Sequence, residues 1–96
     1  MMIKLRSVLN IAQVLGGKEY TVHVDDGATV QGVIGLLLVR YGEPLGALLL
    51  QNREPLELLP FVKIYVNGRG ADFLDGLDTK LQEGDDVLLM PQISGG

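Results

Sequence analysis

Hydrophobic and polar positions alternate at both ends of the chain and follow a helical period in the middle. From Met2 to Leu9, Ile3 and Leu5 fall on one face and Lys4 and Arg6 on the other, the pattern of a half-buried strand. Gly16-Gly17 marks a turn, and Glu19 to Val24 alternates again with Tyr20, Val22 and Val24 on one side. The two runs predict an N-terminal hairpin whose loop is longer than the tightest kind.

Asp25-Asp26-Gly27 then breaks the strand, and Thr29 is a good N-cap for a helix. Val30, Val33, Ile34, Leu37, Leu38 and Tyr41 are spaced as the apolar stripe of an amphipathic helix that stops at Gly42. Gly32 and Gly35 oppose that helix by about 1 kcal/mol each relative to alanine, and the periodicity outweighs them. Pro44 opens a second, short helix carrying Leu45, Leu48 and Leu49.

Phe61 to Asn67 is the clearest strand, with Val62, Ile64 and Val66 alternating against Lys63 and Tyr65, and Asn67-Gly68 turns it. A glycine- and aspartate-rich loop comes next. Glu83-Gly84-Asp85 makes another turn, Asp86 to Met90 forms the last strand, and Pro91 ends it because proline cannot donate to a ladder. The order strand, strand, helix, short helix, strand, loop, strand is an α+β arrangement. Its simplest packing is a mixed sheet with the main helix across one face and the other face left open. The expected division is a folded domain over residues 1–91 and a flexible tail over 92–96.

Composition narrows the function classes. A chain of 96 residues is one domain, and its 47% hydrophobic content suits a globular core. With no cysteine, disulfides, thiolate metal sites and cysteine nucleophiles are excluded, and a cytoplasmic location is expected. The net charge of −4 and the lack of a basic patch argue against nucleic acid and anionic membrane surfaces as partners. The apolar start is interrupted by Asn10 and Gln13 and reads as strand and turn rather than a signal peptide. The Leu-rich stretch from Leu36 to Leu50 is broken by Arg40, Glu43 and Pro44, too soon for a bilayer span of about 20 residues.

Catalytic candidates are scarce. His23 is the only histidine and sits in a strand, where a surface or hydrogen-bonded role is the better reading. Asp72, Asp75 and Asp78 recur every third residue but lie among glycines, where aspartate serves turns; Asp25-Asp26 and Asp85-Asp86 flank turns in the same way. Asn67-Gly68-Arg69-Gly70 lacks the spacing of a phosphate loop. No cofactor or metal is expected.

That leaves the tail. Pro91 to Gly96 reaches at most about 20 Å when extended. Gly95 and Gly96 lack side chains, so their backbone can enter a narrow channel. The Gly96 α-carboxylate would then be an unhindered reactive group. A carboxylate is a poor acyl donor, but transfer to the α-phosphate of ATP makes an acyl-adenylate, which a sulfur nucleophile converts to a thiocarboxylate. On the dipeptide alone, a frayed terminus is the better reading.

The rest of the second half changes the balance. Val66-Asn67-Gly68, Phe73-Leu74-Asp75-Gly76-Leu77-Asp78-Thr79, Glu83-Gly84-Asp85-Asp86-Val87, Pro91 and Gly95-Gly96 keep the order and spacing of the MoaD/ThiS sulfur-carrier family. From about Phe61 onward the chain resembles that family, most closely its MoaD-like members such as the small subunit of molybdopterin synthase. The resemblance implies a ubiquitin-like β-grasp fold with a four- to five-stranded sheet. It implies a carrier rather than an enzyme, with Gly96 adenylated by an ATP-dependent enzyme of the MoeB/ThiF type and converted to a thiocarboxylate. A sulfur-accepting partner, such as a molybdopterin synthase large subunit, is implied as well. An apolar docking patch on the open sheet face is also implied. Val8 and Met90 stand where molybdopterin synthase small subunits often carry phenylalanine, and with Pro91, Ile93 and Ser94 they are the expected partner-binding residues.

Other readings stay open on the sequence. The same activated Gly96 would serve a ubiquitin-like modifier joined to lysines, or a carrier feeding cysteine or thiamine synthesis. An interaction module with an inert tail is a further alternative.

Overall fold

The computed structural model describes residues 1–92. The elements run β1 (Met2–Ser7), α1 (Leu9–Leu15), β2 (Glu19–His23), α2 (Val30–Tyr41), α3 (Glu43–Leu49), β3 (Leu50–Arg53), β4 (Leu56–Leu58), β5 (Lys63–Val66), β6 (Arg69–Gly70) and β7 (Asp86–Met90). Two short 3-10 turns, Ala71–Phe73 and Gly76–Asp78, lie between β6 and β7. Among the described residues the main sheet has five strands in the order β2-β1-β7-β5-β6, and β3 and β4 form a separate hairpin. β1 and β7 are parallel, whereas β1–β2, β5–β7 and β5–β6 are antiparallel.

The alternation read from the sequence decides which face is buried. Ile3 and Leu5 of β1, Ile64 and Val66 of β5, and Val87 and Leu89 of β7 point into the core. There they meet Val30, Val33, Ile34 and Leu37 of α2, which lies over that face as expected. The opposite face carries Lys4 and Arg6, Lys63 and Tyr65, and Leu88 and Met90, exposed or half-buried. The α2 boundaries also obey the local chemistry: Thr29 Oγ1 accepts the Gly32 N–H at 3.2 Å, and Gly42 leaves the helix at φ +65°. Pro44 sits in the first turn of α3, and Leu45 and Leu49 are buried beneath it.

Three expectations are corrected. The first strand ends at Ser7 rather than Leu9, and the predicted hairpin loop is instead the helix α1. β1 and β2 do pair antiparallel, Leu5 opposite Tyr20. The intervening helix exists because Ile11, Ala12 and Leu15 together present one buried side to the core. Gly16, at φ +85°, ends it with its N–H on the Ala12 carbonyl. The Tyr20 hydroxyl donates to the Leu15 carbonyl at 2.6 Å, a group the helix itself leaves without a donor. A Cβ on Gly17 would come within 2.9 Å of that hydroxyl, so the glycine makes room for it. The strand expected over Phe61–Asn67 is shorter, Lys63–Val66. Finally, the sequence pattern predicts no element at the β3–β4 hairpin, whose first strand is largely exposed and shows no alternation.

Candidate functional site

The five-residue strand β7 runs between β1 and β5 and ends at Met90, followed by Pro91 and Gln92. Its register fixes its neighbours: Ser7 of β1 lies opposite Leu89, and Lys63 of β5 opposite Met90. Val8, extended at φ −137° just after β1, therefore lies at the same end of the sheet as Met90. Both are half-buried, and Leu88 and Tyr65, cross-strand partners half-buried on the same open face, continue the apolar surface. The structure thus brings Val8 and Met90 to one end of the open face.

Pro91 is buried, so the strand's end is held rather than presented. Gln92 is exposed, yet its side-chain carbonyl accepts the Phe61 N–H at 3.4 Å, tying the root of the tail to the segment that leads into β5. The remaining site residues named from the sequence, Ile93, Ser94, Gly95 and Gly96, lie outside the described residues.

Sequence reasoning misses four contributors to this end of the molecule. Phe61 reads as part of a strand, but it precedes β5 and is 67% exposed. Leu9 reads as the end of the first strand, but it opens α1 and is 59% exposed. Gln92 gives no signal beyond its position after Pro91. Tyr65 is reachable from parity alone, since it shares a strand face with Lys63.

The motifs that carry the family resemblance serve the fold. Asn67 Nδ2 donates to Asp85 Oδ1 at 2.9 Å, and Asn67 Oδ1 accepts the Asp86 N–H at 2.9 Å, so the Asn-Gly turn and the Glu-Gly-Asp turn interlock. Thr79 is buried; its hydroxyl donates to the Gly76 carbonyl at 2.7 Å and accepts the Asp75 N–H at 3.1 Å. The Thr79 carbonyl accepts the Val30 N–H at 3.0 Å, stapling this loop to the start of α2. Asp72 pairs with Lys63 at 3.5 Å and Asp86 with Arg6 at 2.9 Å. His23 is exposed at the edge strand β2. Among the described residues no group of three or more His, Cys, Asp or Glu could hold a metal ion. No helix among them is long and apolar enough to cross a membrane.

A mixed sheet crossed by one main helix, with first and last strands parallel at its centre, is the ubiquitin-like β-grasp fold. The crystal structure of SAMP1 from Haloferax volcanii matches it with a TM-score of 0.82 over 100% of each chain, at 25% identity. The model described as the ThiS family matches residues 8–96, and the chain belongs to that family of ubiquitin-like sulfur carriers and modifiers. Small archaeal modifier protein 3 of Haloferax volcanii is 36% identical over 96 residues, 100% of both chains. Sulfur carrier protein CysO of Mycobacterium tuberculosis is 36% identical over 70 residues, 73% of this chain and 74% of that protein. Its relatives are thus small carriers and modifiers.

Proposed function

We propose that the protein is a sulfur carrier whose Gly96 α-carboxylate is activated by a separate ubiquitin-activating-type enzyme. One carboxylate oxygen attacks the α-phosphorus of ATP and pyrophosphate leaves, giving the acyl-adenylate. Hydrosulfide then attacks the acyl carbon, AMP departs with the C–O bond electrons, and a thiocarboxylate remains. Its sulfur is the nucleophile delivered to an acceptor held by a second partner, a molybdopterin precursor on a synthase large subunit being the first candidate. The division of labour fits the chemistry: the carrier presents a glycine backbone, and its partners supply nucleotide binding and catalysis. Dependence on ATP fits a cytoplasmic location.

The observation that carries this reading is the root of the tail. β7 ends at Met90, the following Pro91 is buried, and Gln92 is tied to Phe61, so the described chain ends at one defined point beside the half-buried Val8 and Met90. The test is intact mass after incubation with ATP, a sulfur source and the adenylating enzyme, against a chain lacking Gly96. Replacement of one oxygen by sulfur at the C-terminus, absent from the control, is the expected result. No change with an enzyme shown to be competent would end the carrier reading.

A second reading is conjugation through Gly96 to lysines, favoured by the full-length similarity to a small archaeal modifier protein. An acceptor in cysteine or thiamine synthesis is a further alternative, and the similarity to the sulfur carrier protein CysO supports the carrier role common to all of these. Isopeptide-linked conjugates that vanish with Gly96 would support the first of these.

A further inference from the structure

Seven of the eight positive-φ positions in the described residues are occupied by residues suited to them. Gly16, Gly27, Gly42, Gly68, Gly76 and Gly84 have no Cβ, and Asn67 tolerates the left-handed region. The eighth is Leu9, at φ +54°. A bulky, branched side chain is rare at that conformation and strains the backbone. Core burial does not compensate, because Leu9 is 59% exposed and lies outside the core cluster. At Leu9 a strained backbone and an exposed apolar side chain thus coincide, and a backbone outlier of this kind points to a role beyond folding.

Its position supplies the role. Leu9 comes after β1 at the end of the sheet where β7 gives way to the tail, and Phe61 sits at the same end on the far side of β7. Phe61 is the second large apolar residue there that is mostly exposed and outside the core, and its N–H is bonded to Gln92. β7 thus ends between two exposed apolar groups. Residues 93–96 span at most about 14 Å when extended, so a protein that encloses Gly96 must stand against this end of the domain.

We propose that Leu9 and Phe61 are the two sides of an apolar collar around the root of the tail, and that the adenylating protein of the proposed function closes on it. The occupant is a protein whose glycine-wide channel, leading to the α-phosphate of bound ATP, has an apolar mouth. The collar rests on the reading of Gly96 as the activated residue. It adds to that reading a contact separate from the open-face residues Val8 and Met90. Leu9 and Phe61 act as positioning residues: they set how well the carrier is held and leave the chemistry at Gly96 unchanged.

The test is steady-state charging of Gly96, measured by intact mass, for Leu9→Gly, Phe61→Ser and the control Val39→Ser, with thermal unfolding of each. Val39 is also exposed, at 87%, but lies on α2, across the sheet from the open face. Leu9→Gly relaxes the strained φ, so its Tm should equal or exceed that of the parent while its KM as carrier rises about tenfold, the size of a single interface contact. Phe61→Ser should raise KM similarly, and both should keep kcat within about twofold; Val39→Ser should change neither. Parent-like KM for Leu9→Gly and Phe61→Ser would overturn the collar while leaving the carrier reading intact, as would a KM defect that tracks a lowered Tm. If the parent chain itself is not charged by a competent enzyme, the carrier reading falls and the collar falls with it.

Discussion

Replacing Asn67 separates the fold from the chemistry of this family's motifs. Asn67 adopts φ +53°, and its amide joins two turns, donating to Asp85 and accepting from the Asp86 N–H, each at 2.9 Å. Asn67→Ala removes both side-chain bonds, about 0.5–1.5 kcal/mol each, and gives up asparagine's tolerance of the left-handed region, where an alanine costs about 1 kcal/mol more. Because the site is exposed, the lower part of that range applies, about 2–3 kcal/mol. For a domain of this size that lowers Tm on the order of 10–20 °C. Asn67→Gly loses the same bonds without the steric cost and should fall about 1 kcal/mol less. Urea unfolding monitored by circular dichroism measures both, with m unchanged if only the native state is affected. Val66 pairs with Val87 and Lys63 with Met90, so Asn67 lies at the end of the sheet away from the tail. Charging of Gly96, measured well below each variant's Tm, should therefore be parent-like. Equal stabilities for the alanine and glycine variants would refute the φ argument. Loss of charging in a folded variant would refute the assignment of the motif to the fold.

Three further outcomes are expected from the packing. Thr79→Val keeps the shape of a buried side chain but leaves the Gly76 carbonyl and the Asp75 N–H without their partner; a loss of about 1–3 kcal/mol is expected in urea unfolding, with faster hydrogen exchange at Asp75. Gly35→Ala should raise Tm by several degrees, because a Cβ there meets nothing within 4 Å and alanine gains about 0.5–1 kcal/mol in a helix interior. Met90→Asp places a carboxylate on the half-buried open face beside the tail root; it should raise the KM of charging at least tenfold while the far-ultraviolet circular dichroism stays unchanged.

Where the sequence was legible, its signals were long or chemically specific. α2 shows a stripe over three turns with a threonine cap and a glycine stop, and the structure keeps all three. β7 alternates cleanly between buried and half-buried positions, and proline ends it. α1 was not legible because seven residues hold barely two helical turns, too short a stretch to separate the helical period from strand alternation. The β3–β4 hairpin escapes notice because Gln51, Asn52 and Arg53 are all exposed, which leaves no apolar period to read. At the candidate site, Val8 and Met90 are reached through resemblance and then placed at one sheet end by strand register. Leu9 and Phe61 are invisible for a different reason. Their significance lies in a backbone angle and in a neighbour thirty-one residues away, Gln92, and neither has a local signature.

The parallel pairing of β1 with β7 gives the domain a built-in test of its own completeness. The two central strands of the sheet are separated by some eighty residues, as the Arg6–Asp86 pair records. Such distant partners meet only after the chain between them has been made and has collapsed, the slowest class of contact to form. Until they do, β7 has no sheet to end in, and Val8 and Leu9 do not share one end of it with Met90 and Phe61. An enzyme that recognises this end of the domain would load sulfur only onto finished, folded molecules. Truncated chains and unfolding intermediates would be passed over before ATP is consumed on them.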